Sequence, residues 1–99
     1  ALKDFANAIK YDPDSDRGYA NRGLCYRVLK KYPQALKDFE RAIRINPGRP
    51  DNFFGRAQTY HDLRQYDLAR NDCEKALSIH SGYHSARELY QSLQKLSQN

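Results

Sequence analysis

The chain has no methionine and no tryptophan, and only two cysteines among its 99 residues. Cys25 and Cys73 lie far apart, with no C-x-x-C and no histidine beside either. The close, paired spacing of a small disulfide scaffold or a zinc site is therefore missing. Each cysteine sits in an apolar helical pattern and reads as a buried thiol in a reducing, cytoplasmic setting. No apolar run approaches the roughly 20 residues that a membrane helix needs, and no signal-peptide pattern opens the chain. There is no Gly-rich phosphate loop, no HExxH, and no Ser or Cys with a base at a recognisable spacing. The chain does not read as an enzyme, and no catalytic residue, cofactor or metal site is assigned. His80 and His84 are separated by Gly82 at a helix junction and read as solvated. The chain opens inside a periodic segment without an initiating methionine, which reads as a piece excised from something longer.

What is present is a modest apolar fraction, 39%, enough for one small core but not for a deep cavity and its walls. Seventeen Lys and Arg against twelve Asp and Glu give a net charge of +5. The excess lies in residues 1–49, with eleven basic and six acidic residues, whereas residues 50–99 carry six of each. That split points to an anionic partner near the N-terminal half.

Self-similarity organises the chain. "ALKDF" fills residues 1–5 and returns at residues 35–39. Laying residues 16–49 over 50–83 puts Tyr19 on Phe53, Arg22 on Arg56, Gly23 on Ala57 and Tyr26 on Tyr60. The register continues through Tyr32 on Tyr66, Ala35 on Ala69, Asp38 on Asp72 and Ala42 on Ala76. Residues 1–15 match the second half of the same unit, with Phe5, Ala8 and Pro13 over Phe39, Ala42 and Pro47. Each unit holds two helical patterns. Tyr19, Gly23, Tyr26 and Leu29 or Lys30 recur at the spacing of one helix face, as do Ala35, Leu36, Phe39, Ala42, Ile43 and Ile45. Pro33 and Pro50 fit a first helical turn, where no backbone donor is lost. "DPDSD" at 12–16 and "NPGRP" at 46–50 supply turn chemistry between units. The recurring Gly and Ala positions let paired helices approach closely, with aromatic residues filling the space beside them.

This unit resembles the tetratricopeptide repeat, a helix–turn–helix of about 34 residues. The resemblance is carried by an aromatic four residues before a small residue, a Tyr three later, Tyr-x-x-Ala opening the second helix, then Phe, Ala and Pro. It covers residues 1–83. Tyr19 and Phe53 stand where Trp or a large apolar residue is common, Cys73 replaces the usual aromatic, and Ser81 replaces the closing Pro. The resemblance implies an all-α fold, an α-solenoid of stacked repeats forming a single array over residues 1–99. Residues 1–15 are expected to be the second helix of a truncated repeat, followed by full repeats at 16–49 and 50–83 and a capping helix in 84–99. In the cap, Ala86, Leu89, Tyr90, Leu93 and Leu96 form one apolar stripe, and the polar residues between them supply the soluble outer face that a terminal repeat needs.

Members of this family act as scaffolds that hold a partner's peptide or helix in a concave groove lined by the first helix of each unit. Carried onto this sequence, the groove residues are Arg17, Asn21, Leu24 and Arg27 from one repeat and Asp51, Phe54, Gln58 and His61 from the next. Phe54 is the candidate anchor, since an aromatic in a groove is a common hot spot; the competing expectation is partial burial against the neighbouring helix. Co-chaperone members grip a C-terminal carboxylate with a Lys, Asn and Arg clamp built from charge-assisted hydrogen bonds. Asn21 matches the central Asn, but Asp51 and Gly55 stand where Lys and Arg are needed, so the clamp is absent here. A ladder of groove asparagines fails at Gly55 as well. The expected role is a protein–protein interaction module, in a scaffold or adaptor or as a regulatory or targeting domain of a larger enzyme.

Lys3, Lys10, Lys37, Arg41, Arg44 and Lys75 fall at equivalent outward positions of the second helices and make a basic convex stripe. An acidic partner or nucleic acid could read it. Nearby acids compensate much of that charge and exposed aromatics are sparse, so nucleic acid is the weaker partner. Arg22 and Arg56 are expected to bond an aspartate from the set Asp4, Asp38 and Asp72, and, if the pair is largely buried, Leu at Arg56 is expected to be tolerated better than Ala at Asp38 or Asp72. Leu2, Phe5 and Ile9 share a stripe whose covering helix is missing. Self-association through residues 1–11 is expected from that edge.

Overall fold

The computed structural model of the chain describes residues 15–97. These form five helices: α1 (Asp16–Val28), α2 (Tyr32–Ile45), α3 (Pro50–Asp62), α4 (Tyr66–Ile79) and α5 (His84–Ser97). The first and last residues of α1 and α2 each return 34 positions later as those of α3 and α4, so the repeat in the sequence is a repeat in space. The expectations for residues 1–11, including the apolar edge and self-association, lie outside the described residues.

Successive helices pack in order, α1 on α2, α2 on α3, α3 on α4 and α4 on α5, and α1 also touches α3. Odd helices thereby make one layer and even helices the other, as an all-α solenoid requires. Small side chains sit at the crossings. Ala35, Ala42, Ala57, Ala69, Ala76 and Ala86 are fully buried, and Phe39, Phe53 and Leu93 fill the remaining space. Cys73 belongs to the same core, and burial pushes its thiol up to about 12. Neither Cys25 nor Cys73 is in a disulfide. Ile45 and Leu29, expected on apolar faces, are exposed. Leu29 has already left the helix as the C-cap of α1, which takes it off the stripe.

Both tight turns within the units end in the same way. Lys31 donates its backbone N–H to the Tyr26 carbonyl at 2.8 Å and Lys30 donates to Arg27 at 2.9 Å; Gln65 and Arg64 repeat these bonds to Tyr60 and His61. This is a Schellman closure, which needs a left-handed residue one past the cap. Lys30 (φ 62°) and Arg64 (φ 61°) occupy that position instead of glycine.

The expected arginine–aspartate bridges form within units. Arg22 donates through Nε and Nη2 to Asp38 at 2.8 Å each, and Arg56 does the same to Asp72. Each guanidinium also lies about 6 Å from two aromatic rings, Tyr19 and Tyr26 in one unit, Phe53 and Tyr60 in the next. The bond to the aspartate raises each arginine's pKa, against the opposing effect of burial. These bridges hold the two helices of one unit together. Units are joined by α2 packing on α3 and by the smaller contact of α1 with α3.

Candidate functional site

The exposed side of the odd helices carries two adjoining clefts. The first has a volume of about 310 Å³ and runs between the N-terminal halves of α1 and α3. The second, about 360 Å³, opens between α3 and α5 with Arg27 of α1 at its margin. Phe54 and Gln58 line both, so the clefts are two parts of one groove. Arg17, Asn21, Leu24 and Asp51 line the first part, and Arg27 and His61 the second. The eight residues singled out from the sequence are thus brought to one surface.

Their chemical states differ from what spacing alone conveys. Arg27 is committed: its Nε donates to Asp62 at 2.7 Å, tying α1 to α3. Phe54 is half-buried, with its ring 5.2 Å from that of Tyr83 at a tilt of 50°. The expected partial burial is present, since the side chain packs against its neighbour, and it also lines both clefts. Leu24 is exposed. Burial first, and then the neighbouring Asp51 carboxylate, push up the pKa of the Tyr83 phenol.

In the first cleft four lining residues escaped the sequence analysis, Phe39, Arg49, Asn52 and Tyr83, and in the second so did Ser85, Glu88, Leu89 and Ser92 of α5. Phe39 comes from α2, on the other layer, yet its ring reaches the groove floor between Gly23 of α1 and Gly55 of α3. A Cβ on Gly23 would lie 3.1 Å from Phe39 Cζ, and one on Gly55 only 2.7 Å. The two glycines therefore make a slot for the ring. Gly55, which contributes no side chain to a groove, is the signal that another side chain occupies its place.

Arg49 and Tyr83 are equivalent residues, each just before an odd helix. Both reach back to an acid in the first turn of the preceding odd helix. Arg49 Nε donates to Asp16 Oδ2 at 2.5 Å, and Tyr83 lies beside Asp51, whose charge raises the phenol's pKa. Asn52 Nδ2 adds a bond to Asp16 at 2.9 Å and another to the Ala42 carbonyl at 3.3 Å. Burial raises the Asp16 carboxyl, but the bonds from Asn52 and Arg49 and the Arg49 charge outweigh it and hold the group below its ordinary value. Both amide hydrogens of Asn52 face acceptors, which fixes the amide orientation and leaves its buried Oδ1 without a partner.

On this groove the chain offers an aromatic floor, an exposed leucine, the side-chain amides of Asn21 and Gln58 and, among the described residues, one cation without an ion-pair partner, Arg17. Among the described residues no group of His, Cys, Asp and Glu is placed to hold a metal ion, and no helix is long and apolar enough to cross a membrane.

Comparison with known proteins matches two successive tetratricopeptide repeats, at residues 17–49 and 50–81. No curated protein matches the chain by sequence. Among solved structures, the first TPR of Spaghetti (RPAP3), bound to the HSP90 peptide SRMEEVD, superposes with a TM-score of 0.95 at 20% identity. That match covers 100% of this chain and 80% of the other. The Arabidopsis OM64 TPR domain gives a TM-score of 0.92 at 24% identity, over 96% of this chain and 78% of that one. The TPR2B domain of yeast Sti1 in complex with pHsp70 gives 0.88 at 24%, over 97% and 82%.

Proposed function

For a chain that belongs to the tetratricopeptide repeat family, we propose a role as a protein–protein interaction module that holds a segment of its partner in the groove of α1, α3 and α5. Phe54 carries the proposal. Its ring is braced by Tyr83 on one side and shared by both clefts, so an apolar side chain of the partner gains a rigid surface without ordering it first. Asn21 and Gln58 flank it and can pair with the peptide groups of an extended segment.

The groove is read as taking an internal segment and not a terminal carboxylate. Arg17 and Asn21 offer donors on α1, but the facing positions on α3 are Asp51, which repels an anion, and Gly55. The Gly55 position is closed to a longer side chain because the Phe39 ring occupies that space. Peptides such as SRMEEVD, bound by the Spaghetti domain, therefore meet half a clamp here. An adaptor and a targeting arm of a larger enzyme would use the groove alike. Two free thiols accord with a reducing, cytoplasmic setting.

Affinity capture from extract tests the assignment. The Phe54→Ala, Asn21→Ala variant should lose the bound partner, whereas Lys37→Glu, Arg41→Glu on the convex side should keep it. The opposite pattern would move the interface to the basic stripe.

A further inference from the structure

The groove has a direction in its charge. Arg17 lies on α1 in the first cleft, Glu88 lies on α5 in the second, and both are exposed. Among the described residues neither forms an ion pair. The other charges of the lining are largely settled internally: Arg49 is held by the buried Asp16, and Arg27 by Asp62. Asp51, equivalent to Arg17 one repeat on, bears the opposite sign and stands on α3. Crossing the helices from α1 to α5, the uncompensated sequence is one cation and then two anions, with Phe54 between the ends.

Resting on the groove assignment above, we propose that this ordering selects the partner by charge pattern and sets the direction in which it lies. The fitting partner is an extended segment carrying an acidic residue over Arg17, a bulky apolar residue on Phe54 and Leu24, and a Lys or Arg over Glu88. Rim charges of this kind contribute more to specificity and approach than to affinity. A uniformly acidic segment gains at Arg17 and loses at Asp51 and Glu88. A uniformly basic one meets the reverse. Only a segment with separated charges is favoured at both ends, and reversing it exchanges each attraction for a repulsion.

Selection of phage-displayed random dodecapeptides on the whole chain, run in parallel on Arg17→Glu and Glu88→Lys, reads this directly. On the wild type, enriched peptides should carry an acid and a base on opposite sides of a bulky apolar residue. Glu88→Lys should replace the base by an acid, and Arg17→Glu the acid by a base. A synthetic peptide from the wild-type pool should lose about 1.5- to fivefold in affinity on either variant, the range expected of exposed pairs, and less at high salt. Peptides that need Phe54, tested with Phe54→Ala, yet show no ordered charges or the same charges in all three selections, overturn the charge pattern while leaving the groove in place. Peptides indifferent to Phe54→Ala overturn both.

Discussion

The ring of Phe39 stands where a side chain on Gly55 would stand, with Cζ 2.7 Å from the ideal Cβ position. One glycine thus lets a residue of the outer layer form the floor of the inner one, and on the proposed reading the same glycine leaves out a donor that a carboxylate clamp needs. Core packing and groove chemistry are fixed by the same contact.

Alanine at Gly55 tests it. In a helix interior the change gains about 0.5–1 kcal/mol from backbone entropy, but the buried ring must move, at a cost of about 1–3 kcal/mol. Gly55→Ala should therefore lower stability in urea unfolding. Gly23→Ala, with 3.1 Å to the same ring, should come out near neutral. Equal effects would show that the slot is loose.

For the bridges, the expected order of losses is tied to a largely buried pair, and the structure buries one partner more deeply than the other. The buried member is the acid: the Asp72 side chain is 7% exposed and the Arg56 side chain 23%. Freed of Asp72, the arginine can turn to solvent, whereas Arg56→Leu strands a carboxylate. That variant should cost about 3–5 kcal/mol and exceed Asp72→Ala. Arg22→Leu should be milder, because Asp38 keeps Arg41 at 3.4 Å. Thermal unfolding of the three variants gives the ranking; equal losses for Arg22→Leu and Arg56→Leu would rule out the second cation's help.

The repeat, its helix pairs and the inner face were legible because periodic small residues and aromatics record them directly. The bridges were legible as a repeated Arg and Asp, but which partner is buried was not, since burial depends on how the even helices cover the pair. Phe39, Asn52 and Tyr83 were missed for a related reason. Groove membership was read from one helix at a time, and these side chains enter from the other layer, from a bond to Asp16 and from a linker.

The left-handed turn residues also make a measurable difference. Lys30 and Arg64 hold positive φ, a conformation that glycine adopts freely. Lys30→Gly and Arg64→Gly should each raise stability, by at most about 1 kcal/mol. Urea midpoints decide it, and a drop at both positions would mean that the side chains contribute more than the strain costs.

Acid should weaken the junction between the units. The Asp16 carboxyl has its folded pKa below the ordinary 3.8, so its contribution is complete above that value and is lost as pH falls through the lower folded one. Asn52→Ala removes the bond that lowers it most, so the variant should be less stable at neutral pH and show a shallower loss in acid. Urea unfolding across pH 2–6 (roughly the window of carboxylate titration) measures both, and an unchanged acid slope would remove Asp16 from the account.

The central claim, that a partner lies in the groove of the odd helices, is tested most directly by its footprint on the labelled chain. Amide chemical shifts recorded as a captured partner segment is added should move at Asn21, Leu24, Phe54 and Gln58 and stay still on the convex side. Shifts centred on Lys37, Arg41, Arg44 and Lys75, with Phe54 unmoved, would contradict it.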